Sequence, residues 1–153
     1  MTQGDNVPGH SHPPRQTFVD LIDDLHRHLG LQMPDVPDAT GQPLTLDLTW
    51  NGEDFTLQHV DPSATAGCMR VQCRFGTVPE DDMDRILAQA LAANSALARQ
   101  QAGMFALDVA DRGMVFSFIQ PLAATHAADL TAAMRRIAQA AQSWRQRNAC
   151  ALH

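Results

Sequence analysis

The sequence predicts an α+β fold in the element order α-β-β-β-α-β-β-α. Three observations lead there. The segments 17–30 and 125–146 carry apolar residues at helical spacing, and a third such segment runs from about 80 to 97. The segments 44–60, 68–75 and 103–120 follow or approach the two-residue alternation of strands. Asn51-Gly52 falls between two alternating runs, and this dipeptide is the strongest short hairpin signal.

Taken in order, residues 1–16 hold Gly, Pro, Ser and His without periodicity and are expected to form a flexible tail. His10 and His12 lie in that tail, and two histidines there make a poor metal site, because structural sites fix about four ligands. One domain is expected over 17–147, with a short C-terminal tail at 148–153. In the first helix Phe18, Leu21, Ile22, Leu25 and Leu29 form one stripe, while Asp20, Asp23, Asp24 and Arg27 fall off it. Gly30 is a natural stop. Pro34, Pro37, Gly41 and Pro43 mark a loop. A two-residue turn at Asn51-Gly52 then pairs Trp50 with Glu53, Leu48 with Phe55, Leu46 with Leu57 and Leu44 with His59. Thr45, Asp47, Thr49, Thr56 and Gln58 occupy the opposite, wetter face.

In the third strand Met69, Val71, Cys73 and Phe75 share a face, with Arg70, Gln72 and Arg74 on the other. Pro79, Glu80, Asp81 and Asp82 announce a helix start, since proline suits the first turn and acids suit the positive end of the dipole. This middle helix is rich in alanine and lightly charged after Arg85, so it is expected to be covered on more than one side. A second hairpin follows, over 103–109 and 113–120. Its run Met114-Val115-Phe116-Ser117-Phe118-Ile119 alternates poorly and is expected to be covered on both faces. In the last helix Leu130, Met134, Ile137, Ala141 and Trp144 dock on the sheet, while Arg135, Arg136, Arg145 and Arg147 are placed on the solvent side.

Composition excludes several classes. The 153 residues suit one domain with a core of its own. No apolar run approaches the ~20 residues that span a membrane, and the polar N-terminus has no signal-peptide core, so the cytoplasm is the expected compartment. Every basic residue apart from histidine is arginine. Residues 17–98 hold thirteen acids against four arginines, and residues 99–153 hold three against six. The acidic balance repels phosphate backbones, so no nucleic-acid partner is expected. Cys68, Cys73 and Cys150 are an odd set without a disulfide framework, and Cys68 and Cys73 point to opposite strand faces.

No P-loop, GxGxxG, GxSxG, HExxH or CxxC motif is present. No pair of carboxylates is set against an apolar run for acid–base work, and His59 has no base or nucleophile beside it. The expectation is a binding protein with no catalytic residue, cofactor or metal.

The opening helix from Phe18 to Leu25, the Leu-rich first strand, the segment 80–94, then Gly103-Met104-Phe105-Ala106-Leu107-Asp108, Gly113-Met114-Val115-Phe116, Pro121-Leu122 and Ser143-Trp144-Arg145 together resemble the Tir-chaperone (CesT-like) family. These are class I chaperones of type III secretion. The resemblance covers about residues 18–147 and is one of pattern; the Pro/His tail and the lack of lysine depart from it. It implies a twisted antiparallel sheet with helices against it, a homodimer and no ATP use. It also implies a partner: the unfolded N-terminal segment of a secreted effector, kept export-competent and delivered to the export machine, whose ATPase is a further implied partner.

Two sets of site residues follow. The family's middle helix commonly forms the dimer interface, which carries over to Met83, Ile86, Leu87, Ala90, Leu91 and Asn94. The client groove is expected on Phe18, Leu21, Ile22 and Leu25 of the first helix and on Leu46, Leu48, Phe55 and Leu57 of the first hairpin. The bland reading is that these stripes face each other as core. Two rival functions are a dimeric interaction or regulatory domain of the same fold without a secreted client, and a small hydrolase or transferase without a recognisable motif.

Overall fold

The computed structural model describes residues 14–35, 43–60 and 67–148. In chain order they form α1 (Pro14–Leu29), β1 (Thr45–Trp50), β2 (Glu53–Val60), β3 (Cys68–Thr77), α2 (Met83–Gln100), β4 (Met104–Asp108), β5 (Gly113–Pro121) and α3 (Ala127–Asn148). Short 3-10 turns at Glu80–Asp82 and Leu122–Ala124 lead into α2 and α3. The order matches the expected one. Several boundaries shift by a few residues: α1 takes in residues 14–16, assigned above to the tail, because proline is tolerated in a first helical turn, and α2 begins at Met83 after the Glu80–Asp82 turn. Helix α3 runs on to Asn148. His10, His12 and Cys150 lie outside the described residues.

The strands build one sheet in the order β1-β2-β3-β5-β4, with every neighbouring pair antiparallel. Its two edges are therefore β1 and β4. The first hairpin has the predicted register, Trp50 opposite Glu53 through Leu46 opposite Leu57. The His59 N–H donates to the Leu44 carbonyl at 2.8 Å and extends that register by one pair. Asn51 and Gly52 sit at φ 54° and 76°, the left-handed pair that a type I′ turn requires. Between β3 and β5 the register shifts at Arg74/Gly76, which leaves Phe75 as the extra residue of a bulge.

Helices α1 and α3 pack on each other and cover one face of the sheet. Phe18, Ile22 and Leu25 of α1 and Leu130, Met134 and Ala138 of α3 are buried there with Phe55, Leu57, Met69 and Val71. The other face is polar across β1 and β2: Thr56 Oγ1 donates to Asp47 Oδ1 at 2.6 Å, and Thr49 Oγ1 donates to Asp54 Oδ1 at 2.7 Å. Among the described residues, strand β5 is largely buried on one face and only partly covered on the other. Met114 and Phe116 are buried, whereas Ile119 on the opposite face is 58% exposed. Among the described residues the poor alternation of β5 thus marks a partly exposed outer face and no second covering layer.

Arg145 departs from its expected solvent position. Its guanidinium turns inward, donating to both carboxylate oxygens of the buried Glu53 and, at 3.0 Å, to the Phe75 carbonyl. The carboxylate explains the turn: Glu53 closes the apolar row opposite Trp50, and a charge at that depth requires a partner. The contact raises the Arg145 pKa, chiefly through the hydrogen bond to Glu53.

Candidate functional site

The expected client groove is closed by the chain itself. Phe18, Leu21, Ile22, Leu25, Leu48, Phe55 and Leu57 are all buried, and Leu46 is half-buried against them. The α1 stripe and the hairpin stripe meet each other, as amphipathic elements do when the core can absorb both. These residues therefore present no open apolar surface in the single chain, and binding geometry has to be sought elsewhere.

The sheet edges offer it. In an antiparallel ladder, hydrogen-bonded and non-bonded pairs alternate. Leu44 bonds His59, so Leu46, Leu48 and Trp50 spend their backbone groups on β2. Thr45, Asp47 and Thr49 then direct their N–H and C=O groups away from the sheet. Among the described residues no strand pairs with this edge. The β4 edge is different. Asn94 of α2 lays its carboxamide against it: Nδ2 donates to the Phe105 carbonyl at 2.9 Å, and Oδ1 accepts from the Phe105 N–H at 2.6 Å. A side chain thus occupies the place that a neighbouring strand would take.

The six expected interface residues of α2 do not share one face. Ile86 is fully buried, and Met83, Leu87 and Ala90 are half-buried against the core. Together with Asn94 they form the stripe that holds α2 on its own sheet. Only Leu91 points clear of it, 70% exposed. It lies about 100° around the helix from Ala90, among the exposed and uncharged Ala88, Ala92 and Ser95. Among the described residues Ile86 is the only fully buried residue in the 18 of α2, and most of the others are exposed.

A third feature was not anticipated from the sequence. An open cavity of about 450 Å³ lies between α3, the β4–β5 hairpin and the end of α2. Phe105, Phe116 and Phe118 line it from the sheet, and Ile137 lines it from α3. Ring contacts knit this floor, Phe75 to Phe105 edge-on at 5.1 Å and Phe105 to Phe116 at 5.1 Å. The signal was present in the sequence as aromatic residues at 105, 116 and 118, but which of them the core would absorb depended on how far α2 and α3 stand apart.

Among the described residues chemistry-bearing groups are not gathered. Cys73 is buried, and its thiol is pushed up to about 12, first by burial and then by the nearby Glu53 carboxylate. Such a thiol is a poor nucleophile. The buried His26 has Nδ1 2.8 Å from the Ile22 carbonyl, one turn back in the same helix, which reads as a structural contact. Among the described residues no group of three or more His, Cys, Asp or Glu could hold a metal ion. No helix among them is long and apolar enough to cross a membrane.

Among the described residues the sheet thus has one open edge, one edge capped at Phe105, and a largely exposed helix beside it. The family comparison places this arrangement: residues 20–145 match the Tir chaperone protein (CesT) family, and the chain belongs to that family. Among solved structures it is similar to a chain of the ExsC-ExsE complex, with a TM-score of 0.69 and 13% identity over 88% of this chain and 96% of that one. A chain of the HopA1-SchA chaperone-effector complex follows at a TM-score of 0.58 and 18% identity, covering 85% and 94%. A chain of the structure of the Yersinia pestis type III secretion chaperone SycH in complex with a stable fragment of YscM2 gives a TM-score of 0.53 and 12% identity, covering 82% and 98%. At these identities the likeness is one of fold. No curated protein sequence matches the chain.

Proposed function

We propose that this protein is a cytoplasmic, non-catalytic chaperone of type III secretion, which binds the unfolded N-terminal segment of an effector and keeps it export-competent. Family membership supports the class, and the solved complexes it resembles include a chaperone with its effector. The observation that carries the mode of binding is the contrast between the edges: β1 is open among the described residues, while β4 is closed by Asn94. An unfolded client adds a strand to β1, pairing its backbone with Thr45, Asp47 and Thr49. Folded client cannot do so, because its backbone groups are already spent. We place the homodimer contact on the exposed face of α2 around Leu91, and the export-machine ATPase remains an expected later partner.

The test uses a client captured from the native organism and identified by mass spectrometry, then truncated. Binding should require its N-terminal segment. Asp47→Pro removes an outward N–H without touching the β1–β2 ladder, so the chaperone should stay folded and lose the client. Asp47→Ala keeps that N–H and should retain it. Binding of the isolated folded client domain as strongly as full-length client, or full binding by Asp47→Pro, would refute the reading.

A further inference from the structure

We propose that Asp47 sets the charge of the strand that joins β1: it favours an extended client segment with lysine or arginine opposite it, and it turns away a second copy of this chain. The proposal rests on the strand-addition reading above and names the residue that makes that addition selective.

Strand β1 has the sequence Thr-Leu-Asp-Leu-Thr-Trp, and Asp47 is its one charged residue. Aspartate is depleted in strands, whereas threonine and tryptophan suit them. Asp47 is exposed, at the middle of the outward-bonding row Thr45, Asp47 and Thr49. Its carboxylate is held on the outer face of the sheet, where Oδ1 accepts the Thr56 hydroxyl at 2.6 Å. Among the described residues no cation forms an ion pair with it. The arginines of that face stand two strands away on β3, where Arg70 donates to Gln58 and Arg74 pairs with Asp111. The charge is thus left for whatever strand lies alongside β1.

Its position matters as much as its sign. An antiparallel partner that uses the outward groups of Thr45, Asp47 and Thr49 is centred on Asp47. When that partner is β1 of a second copy, a two-fold axis relates the strands. Thr45 then faces Thr49, Leu46 faces Leu48, and Asp47 faces its own counterpart. The threonine and leucine pairs favour this union, but two carboxylates on Cα atoms about 5.5 Å apart oppose it. Charged residues on edge strands serve this end. A client strand in the same register meets the opposite condition. Its residue across from Asp47 lies on the outer face, where a cation is favoured and an acid is disfavoured. The residues on either side of it turn inward, beside Leu46 and Leu48. The segment so defined is apolar on its inner face and basic at its outer centre. One residue supplies both the attraction and the repulsion that specificity needs.

Two fluorescein-labelled synthetic peptides test the attraction, each of about seven residues of alternating valine and threonine, with lysine at the centre of one and glutamate at the centre of the other. They are titrated into the intact protein at low salt by fluorescence polarisation. The lysine peptide should bind about two- to thirtyfold tighter than the glutamate peptide. That preference should vanish in Asp47→Thr and reverse in Asp47→Lys, with circular dichroism unchanged. Sedimentation velocity tests the repulsion, in a Leu91→Asp background that removes the proposed α2 contact. There Asp47→Thr should associate as concentration rises, and Asp47→Lys should not, since like charges still meet. Equal binding of the two peptides, or binding of neither, would overturn the proposal. A preference that survives in Asp47→Thr would report only the net charge of −6 and would overturn it as well. So would Asp47→Thr that associates no more than its Leu91→Asp parent. The two readings fail separately: client loss in Asp47→Pro beside any of these results leaves strand addition standing and removes this proposal, whereas full client binding by Asp47→Pro removes both.

Discussion

Replacing Arg145 by methionine should be among the most damaging single changes in the chain. Glu53 is 1% exposed and the Arg145 side chain 12% exposed, so the pair is held almost without water. The arginine spans β2 and α3, and it also donates to the Phe75 carbonyl at the β3 bulge. Removing one member of a buried pair strands the other charge and costs about 3–5 kcal/mol. Slight exposure of the arginine argues for the lower end, about 3 kcal/mol, out of the 5–15 typical of a domain. In a chain of this size that corresponds to a fall in Tm of about 6–12 °C. Glu53→Leu combined with Arg145→Met should recover much of the loss, because an apolar pair fills the site without a desolvated charge. Urea unfolding followed by circular dichroism checks this, read as a change of midpoint at constant slope. A loss below about 1 kcal/mol in Arg145→Met, the range of an exposed pair, would refute the reasoning.

Leu91→Asp should leave the fold intact, because the side chain is exposed, and should shift the proposed dimer to monomer in light scattering; a monomeric wild type would remove the proposal. Leu87→Asp is the poorer test, since Leu87 packs on the core and the variant should lose stability as well. Asn94→Ala should cost about 1–2 kcal/mol by urea titration, and it should increase self-association with concentration, because it bares the Phe105 backbone at a strand edge. Cys73 should resist thiol reagents at pH 8 in the folded protein, tested in a background with both Cys68→Ser and Cys150→Ser. Its raised pKa favours the neutral thiol, so that contribution is intact below about pH 9 and is lost as pH rises toward 12. Cys73→Ala should flatten the alkaline fall of the urea midpoint.

The hairpin 44–60 was legible in detail because three independent signals agree on one register: the Asn-Gly turn, the alternation, and apolar residues meeting across strands. The site was far less so. Periodicity shows which residues share a face, but not whether that face meets the chain's own core or a partner. Thus the stripe of Phe18, Leu21, Ile22 and Leu25 became core, and the stripe through Met83, Ile86, Leu87, Ala90 and Asn94 turned toward its own sheet. Leu91 is left alone outside it. Arg145 was misplaced for a related reason. A helix pattern gives its direction around the axis, whereas the carboxylate that draws it inward lies 92 residues away in sequence. The bulge at Phe75 had a cue in Gly76, which sits at φ 143° within the strand.

The arrangement of the edges bears on how binding and assembly fit together. Strand β1 stands four places from β4 in the sheet, about 19 Å at ordinary strand spacing. A dimer made through the outer face of α2 gathers its contacts at the β4 side, because α2 packs on β4. Each β1 edge is then left at a far end of the assembly, clear of the contact. Had β4 been open as well, two copies could instead have joined edge to edge, and a client strand would have competed for the same backbone groups. The Asn94 carboxamide removes that alternative at Phe105, using two hydrogen bonds from a residue of the helix proposed to dimerise. Helix α2 thus joins two tasks, presenting Leu91 outward while closing β4 inward. The proposed dimer thus presents two β1 edges, one in each copy, for the proposed strand addition.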